Sequence, residues 1–300
     1  MSRSNIELQK ITVASENCVL HITYTGSGSS LLLMIPGGHG LGSNYHAVLP
    51  RLANSTKYTV ATYDRRGHGE SRFTPSGEEI NETMNPAQSA RDILAVIRHF
   101  GFEKADIFGT SMGGVIAFQF AIQFPQHVEK LIAHESPTMT LLPGEEGTKW
   151  IDWAFSVFRT YKTAGPKKAM VEFLSMTVGW KATSSGAGAD IPPPQSEDEI
   201  EMDRDHLFWF ENEYTLSVFT PNLLELKRHL VGKYKDTLSV AVTVGKNSGD
   251  APYAKTTYVH EEILSCQHHM WPGGHLLYLV DPQGFVKVFL DTLEKLERKQ

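Results

Sequence analysis

The run ADIFGTSMGGVIAFQFAIQFP, residues 105–125, decides how the rest of the chain is read. Ala105 to Phe108 is a short apolar run without the polar alternation of a one-sided strand, and Ser111 to Phe124 reads as a helix stopped by Pro125. Between the two, Gly109-Thr110-Ser111-Met112-Gly113 has the spacing G-x-S-x-G. A strand that turns directly into a helix leaves the corner residue exposed at the carboxyl edge of a sheet. Glycines are needed on either side because side chains would collide in so sharp a turn. Ser111 is therefore the candidate nucleophile.

The same rhythm recurs outward from this corner. LLLMI at 31–35, YTVATY at 58–63 and VEKLIAHE at 128–135 are further apolar runs that suit parallel strands buried on both faces. Asn85 can cap a helix whose Ile93, Leu94, Ile97 and Phe100 recur at helical spacing and which Gly101 closes. Ahead of these, Glu7 to Ala14 and Cys18 to Tyr24 alternate like half-exposed strands about a Ser15-Glu16-Asn17 turn, an opening β-hairpin. The strand pattern returns with LSVAVTVG at 238–245 and LSCQHHMW at 264–271, and a final helix runs from Pro282 to Glu297. The expected fold is α/β, a mostly parallel, eight-stranded, doubly wound sheet formed by residues 1–136 and 238–300. The rhythm breaks over 137–237, an aromatic-rich stretch read as a helical cap inserted after the sixth strand, with a flexible excursion near the prolines of 181–201.

Composition narrows the chemistry. Hydrophobic residues make up 41% of the 300 residues and charged residues 21%, ordinary for a globular chain with a large core. A net charge of −6 without a basic cluster argues against nucleic acid as a partner. No segment has membrane-spanning length, and MSRSNIELQKITV lacks a secretory leader's apolar run, so no membrane association and a cytoplasmic location are expected. Cys18 and Cys266 fall in separate strand-like segments and are expected as small buried side chains, with neither a disulfide nor a metal site. No cofactor is expected, and the partner is a small-molecule substrate.

A serine hydroxyl needs a base to take its proton, and His275 is the best placed of the thirteen histidines. It follows the last strand in Trp271-Pro272-Gly273-Gly274-His275, where a glycine-flanked loop can carry an imidazole to the nucleophile. His268 and His269 lie within the strand pattern and are read as packing or surface residues. The oxyanion formed on attack needs preset amide donors. Met112 supplies one at the helix start, and Pro36-Gly37-Gly38-His39-Gly40 supplies the second, from Gly38 first and His39 next.

Together with Asp64-Arg65-Arg66-Gly67-His68-Gly69-Glu70-Ser71, these segments resemble the α/β-hydrolase superfamily. The resemblance implies that Asp64, Arg65 and His68 shape a loop rather than perform chemistry. It also implies a carboxylate behind His275, commonly on the loop after the strand at 238–245. Here that place falls near Asn247 or Ser248, and the nearest acid, Asp250, comes late. A second position is open in His134-Glu135-Ser136-Pro137, which looks like a segment of the subgroup containing fungal zearalenone lactonases, where the glutamate is the triad acid. Glu135 is preferred over Asp250, and strand alternation gives His134 a packing role. The aromatic-rich insertion over the serine site suggests a serine hydrolase with a pocket for an apolar ester or lactone, with Trp150, Trp153, Trp180 and Trp209 as candidate walls, and the resemblance to the lactonase subgroup makes a macrolactone the sharpest choice. Two alternatives use the same residues, a carbon–carbon bond hydrolase acting on a β-diketone and a slow-turnover ligand receptor. Epoxide hydrolase and haloalkane dehalogenase chemistry is disfavoured, because those relatives carry an aspartate where this chain has Ser111.

Overall fold

The opening strands β1 (Gln9–Ser15) and β2 (Cys18–Thr25) pair antiparallel from Ser15↔Cys18 outward, and Glu16 takes a left-handed φ of 49° to close the turn. The computed structural model describes residues 7–74, 85–177 and 194–297. Six further strands of five to seven residues follow, β3 (Ser30–Ile35), β4 (Tyr58–Tyr63), β6 (Ala105–Thr110), β7 (Val128–His134), β8 (Ser239–Gly245) and β9 (Gln267–Trp271). A two-residue strand, β5 (Arg72–Phe73), pairs with β2. The order is β1-β2-β4-β3-β6-β7-β8-β9, and every pairing from β4 onward is parallel. The expected eight strands form this path and β5 is a ninth beside it.

From β3 the chain moves one way to β4 and then returns to place β6 on the other side of β3. The connections after β3 and β6 therefore diverge to opposite faces of the sheet, which opens a crevice at the carboxyl ends of these two strands. The Pro36–Gly40 loop and Ser111 leave the sheet at that crevice. Buried side chains alternate across the sheet. Leu31, Leu33 and Ile35 join the core under α2 (Pro86–His99) and α3 (Met112–Gln123), while Leu32 and Met34 pack with Leu49 and Leu52 of α1 (Leu49–Ser55) and with Phe285 and Phe289 of the helix Pro282–Glu297.

Between β7 and β8, the seventh and eighth strands in chain order and the sixth and seventh along the path, the chain forms helices α4 (Glu145–Ala164), α5 (Pro166–Met176) and α6 (Arg204–Phe208). A π-helical turn (Trp209–Glu213), a 3-10 turn (Tyr214–Val218) and α7 (Leu223–Val231) follow. Glu145 and Glu146 favour the start of α4, and Gly165, at φ 96°, ends it before Pro166 opens α5. Trp209, Phe210, Tyr214, Val157 and Met170 build a separate aromatic-rich core, whereas Leu223 and Leu226 of α7 pack into the sheet's own core. Residues 181–193, most of the expected flexible excursion, lie outside the described residues. Its end, 194–201, holds a 3-10 turn (Glu197–Glu199) and a buried Ile200.

Helix α8 (Pro252–Leu264) occupies the stretch before the last strand. It runs to Leu264, Ser265 caps it at φ 49°, and β9 starts at Gln267, three residues after the expected strand start. Cys266 is therefore a half-buried loop residue rather than a buried strand residue, while Cys18 is fully buried as expected. Among the described residues no helix is long and apolar enough to cross a membrane.

Candidate active site

Ser111 joins β6 to α3 at φ 52°, ψ −127°, a conformation that costs an L-residue about 1–3 kcal/mol and persists only where the surroundings impose it. Here the imposing groups are backbone. A Cβ on Gly109 would lie 2.3 Å from the Gly113 carbonyl oxygen, and one on Gly113 would lie 2.3 Å from that of Ile35. The Ser111 N–H donates to the His134 carbonyl at 2.9 Å, which ties the corner to the end of β7.

Glu135 follows β7 directly and also has a left-handed φ, 48°. Its N–H donates to the Thr243 carbonyl at 3.1 Å and its side chain is fully buried. One carboxylate oxygen, Oε1, accepts the Gly245 N–H at 2.7 Å; the other, Oε2, lies 2.7 Å from His275 Nδ1. With a carboxylate facing it, Nδ1 is the donor, so Nε2 of the neutral ring is left as the proton acceptor. Burial opposes the charge on Glu135, but His134 and the hydrogen bond from His275 outweigh it and hold the carboxyl below its ordinary range. The segment beyond is pinned by Thr256 Oγ1, which donates to the Ser136 carbonyl at 2.7 Å, and by the Thr138–His260 side-chain contact.

The Pro36–Gly40 loop lies against the nucleophile, since a Cβ on Gly37 would stand 3.3 Å from Ser111 Cβ. Arg65 Nη2 donates to the Gly37 carbonyl at 3.0 Å and to the Gly38 carbonyl at 2.7 Å. In a trans peptide the N–H points opposite to the carbonyl it is bonded to. The N–H groups of Gly38 and His39 are thereby turned away from Arg65. Met112, at the first position of α3, carries an N–H with no partner inside its own helix.

A family model described as the alpha/beta hydrolase fold matches residues 30–223. The chain belongs to the α/β-hydrolase family. The uncharacterized hydrolase YraK of Bacillus subtilis is 36% identical to this α/β-hydrolase over 127 residues, 42% of this chain and 44% of that protein. The match thus spans under half of that relative's length. The fold is shared with a proposed epoxide hydrolase of Pseudomonas aeruginosa, at TM-score 0.64 and 18% identity with 99% of each chain covered. It is also shared with a structure from work on Nitrososphaera gargenis carboxylesterases, at TM-score 0.66 and 15% identity, covering 97% of this chain and 100% of the other. At such identities the likeness is one of fold.

The chain thus brings Ser111, Met112, Gly38, His39, Glu135 and His275 to one sheet edge. Asp250 is half-buried beyond the 3-10 turn Lys246–Ser248, and the carboxylate seated on His275 Nδ1 is that of Glu135. Trp209 is buried at 3% exposure with Nε1 3.9 Å from where a Gly38 Cβ would stand, so it borders the loop. Trp153 stacks on Phe173 within the inserted helices, and Trp150 packs edge-on against Trp153. Trp180 lies outside the described residues. His268 contacts Glu261 and Tyr258, away from these groups. Two clefts of about 410 and 280 Å³ open at the opposite, amino-end edge of the sheet, beside Lys227 and Gln267 and beside Tyr58 and Lys130.

Sequence reasoning missed several neighbours. His134 does pack, stacked on Trp271 at 5.2 Å, but its Nε2 is also 3.8 Å from Glu135 Oε2. Strand alternation fails to separate the two because Glu135 leaves the strand through a left-handed turn. Tyr253, its ring 4.4 Å from that of His275, sits on α8, a helix whose sequence shows no apolar stripe. Arg65 holds the glycine loop and pairs with Glu213 on the π turn. The resemblance gives Arg65 a loop-shaping role, which the structure extends to the glycine loop, and nothing in the sequence marks Glu213.

Proposed function

We propose that this chain hydrolyses an ester or lactone of an apolar small molecule through a seryl acyl-enzyme. The reading rests on one observation above all, the hydrogen bond from His275 Nδ1 to the buried Glu135 carboxylate at the sheet edge that presents Ser111. As His275 Nε2 takes the Ser111 hydroxyl proton, Oγ attacks the substrate carbonyl and the ring becomes an imidazolium beside the Glu135 carboxylate. The N–H groups of Gly38, with His39 next, and of Met112 receive the oxyanion. Collapse of the tetrahedral intermediate breaks the ester bond, and the leaving oxygen takes the proton back from His275. In a lactone that oxygen stays tethered to the acyl group. His275 then activates water, which releases the acid and restores Ser111.

The inserted helices serve as a cap, with Trp209 bordering the glycine loop through its Nε1 edge. The likeness of His134-Glu135-Ser136-Pro137 to the zearalenone lactonase segment makes a resorcylic macrolactone the sharpest substrate choice.

Chromatographic detection of zearalenone ring opening, with p-nitrophenyl butyrate hydrolysis alongside, tests both levels using wild type and Ser111→Ala. Sustained ring opening by wild type alone supports the lactonase. Ester hydrolysis without ring opening removes the macrolactone and keeps the serine esterase. Failure on both, with Ser111 unlabelled by a fluorophosphonate, removes the hydrolytic reading.

A further inference from the structure

We infer that Arg65 and Glu213 form a brace through which docking of the inserted helices sets the oxyanion donors of the Pro36–Gly40 loop. The inference rests on the proposed role of that loop in ester cleavage.

The two arginines of Asp64-Arg65-Arg66 do different work. Arg66 reaches back into the core, donating from Nε and Nη2 to Asp92 at 2.7 and 2.6 Å, and so fixes its own loop against α2. Arg65 reaches toward the nucleophile. Its Nη1 and Nη2 donate to Glu213 Oε1 and Oε2 at 2.9 and 2.8 Å, a two-pronged pair whose side chains are 3% and 1% exposed. The same Nη2 holds the carbonyls of Gly37 and Gly38, and the Arg65 N–H donates to the Gly40 carbonyl at 2.8 Å. One guanidinium therefore joins a carboxylate of the inserted helices to successive peptides of the glycine loop.

Glu213 reaches Arg65 because its backbone is docked there. It closes the π turn Trp209–Glu213, a geometry whose extra residue re-aims the side chains that follow. Phe208, just before the turn, covers Gly67, where a Cβ would strike its ring at 2.2 Å, and its ring meets that of His68 at 5.1 Å. The Gly69 N–H donates to Asp205 at 3.0 Å, and Arg204 donates to the Gly69 carbonyl at 2.9 Å. His68 Nε2 lies 3.0 Å from Glu213 Oε2. Burial opposes the charge on Glu213, and Arg65 and His68 outweigh it, so the carboxyl is held below its ordinary range.

The causal order follows from these contacts. Docked helices present Glu213, Glu213 orients and neutralises the Arg65 guanidinium, and Arg65 fixes two carbonyls. Their peptides can then offer the Gly38 and His39 N–H groups only on the other side. Without the brace, a Gly-Gly peptide is free to rotate, since glycine accepts either sign of φ. Arg65 and Glu213 are positioning residues that touch no reacting atom.

The test pairs Arg65→Met with Glu213→Leu in one double variant, because replacing both members of a buried ion pair by apolar residues of similar size preserves folding where a single change strands a charge. The double variant should melt within about 5 °C of wild type. Its kcat on p-nitrophenyl butyrate should fall roughly 10²-fold, with KM within about threefold, as for loss of an oxyanion donor. An aryl trifluoromethyl ketone, which mimics the tetrahedral adduct, should bind correspondingly weaker, while butyrate inhibition stays unchanged. Hydrogen–deuterium exchange should rise in the peptide spanning residues 36–40. A folded double variant with kcat within about threefold of wild type overturns the brace. Unchanged exchange at 36–40 overturns it whether or not wild type cleaves esters. Absence of activity in wild type counts against the proposed function alone.

Discussion

Replacing Glu135 by Gln removes a charge and almost no volume, and its effect can be worked from two hydrogen bonds. The carboxylate accepts the Gly245 N–H on Oε1 and the His275 Nδ1–H on Oε2, each at 2.7 Å, in a fully buried site. A carboxamide has one accepting oxygen and one donating nitrogen. If its oxygen stays on His275, its NH₂ faces the Gly245 N–H, and the clash of buried donors costs about 1–3 kcal/mol. If its oxygen stays on Gly245, its NH₂ faces Nδ1 and imposes the tautomer protonated on Nε2, which cannot take a proton from Ser111. The productive arrangement is therefore the strained one, populated on the order of one part in ten to one in a hundred. A second loss adds to this, because the imidazolium of the transition state no longer has its carboxylate. The two together should lower kcat on the order of 10⁴-fold, about 5 kcal/mol of barrier. Steady-state hydrolysis of p-nitrophenyl butyrate measures it, with circular dichroism to confirm folding. A folded variant within about threefold of wild type would refute the assignment of Glu135 as the orienting acid.

Asp250→Asn should leave kcat within about threefold of wild type, since Glu135 already occupies His275 Nδ1; a 10³-fold fall would move the acid to Asp250. In Gly113→Ala the new Cβ would press on backbone, the carbonyls of Ile35 and Pro36 at 2.3 and 2.7 Å. That overpacking should cost about 1–3 kcal/mol, a melting point lower by roughly 2–10 °C, and an unchanged melt would show the corner to be softer than described. His260 is fully buried, and burial pushes its pKa from 6.5 down to about 3. The unfolded chain thus binds a proton near its ordinary pKa that the folded chain refuses until far lower, so stability falls with pH through that window, by about 2.5 kcal/mol between pH 7 and 4.5. His260→Gln should lose about that much less in urea unfolding over the same interval, and parallel curves for the two proteins would contradict it. Glu135 and Glu213, held below their ordinary range, add stability that is present above the unfolded carboxyl pKa and lost as pH falls through the folded one.

What the sequence discloses here is whatever lies in local pattern. The corner at Ser111 is legible because a buried strand, a G-x-S-x-G turn and a helix follow one another without a gap, and His275 because its glycines follow a strand. Helix α8 is not, because Thr256, Thr257 and His260 fill buried positions that an amphipathic helix gives to apolar residues, and no stripe at 3.6-residue spacing emerges. The Arg65–Glu213 pair spans 148 residues and joins a loop to a π turn, and neither charge stands in a pattern that names the other. His134 fails for another reason. Alternation is a rule about strands, and it stops holding at the residue where φ changes sign.

That change of sign also accounts for the missing acid after β8. A carboxylate at the end of β7 would ordinarily continue along its own strand, one place in the sheet short of β8. The left-handed turn at Glu135 sends it sideways instead, so that its Oε1 rests on the Gly245 N–H at the carboxyl end of β8 and its Oε2 on His275. The negative charge thus arrives at the end of β8 although it is carried by the strand before. An aspartate at the buried Ser248 would bring a second carboxylate toward that of Glu135, where burial and like charge both oppose ionisation. On the proposed mechanism, the strain at Glu135 is the conformational cost of carrying the orienting carboxylate one strand early.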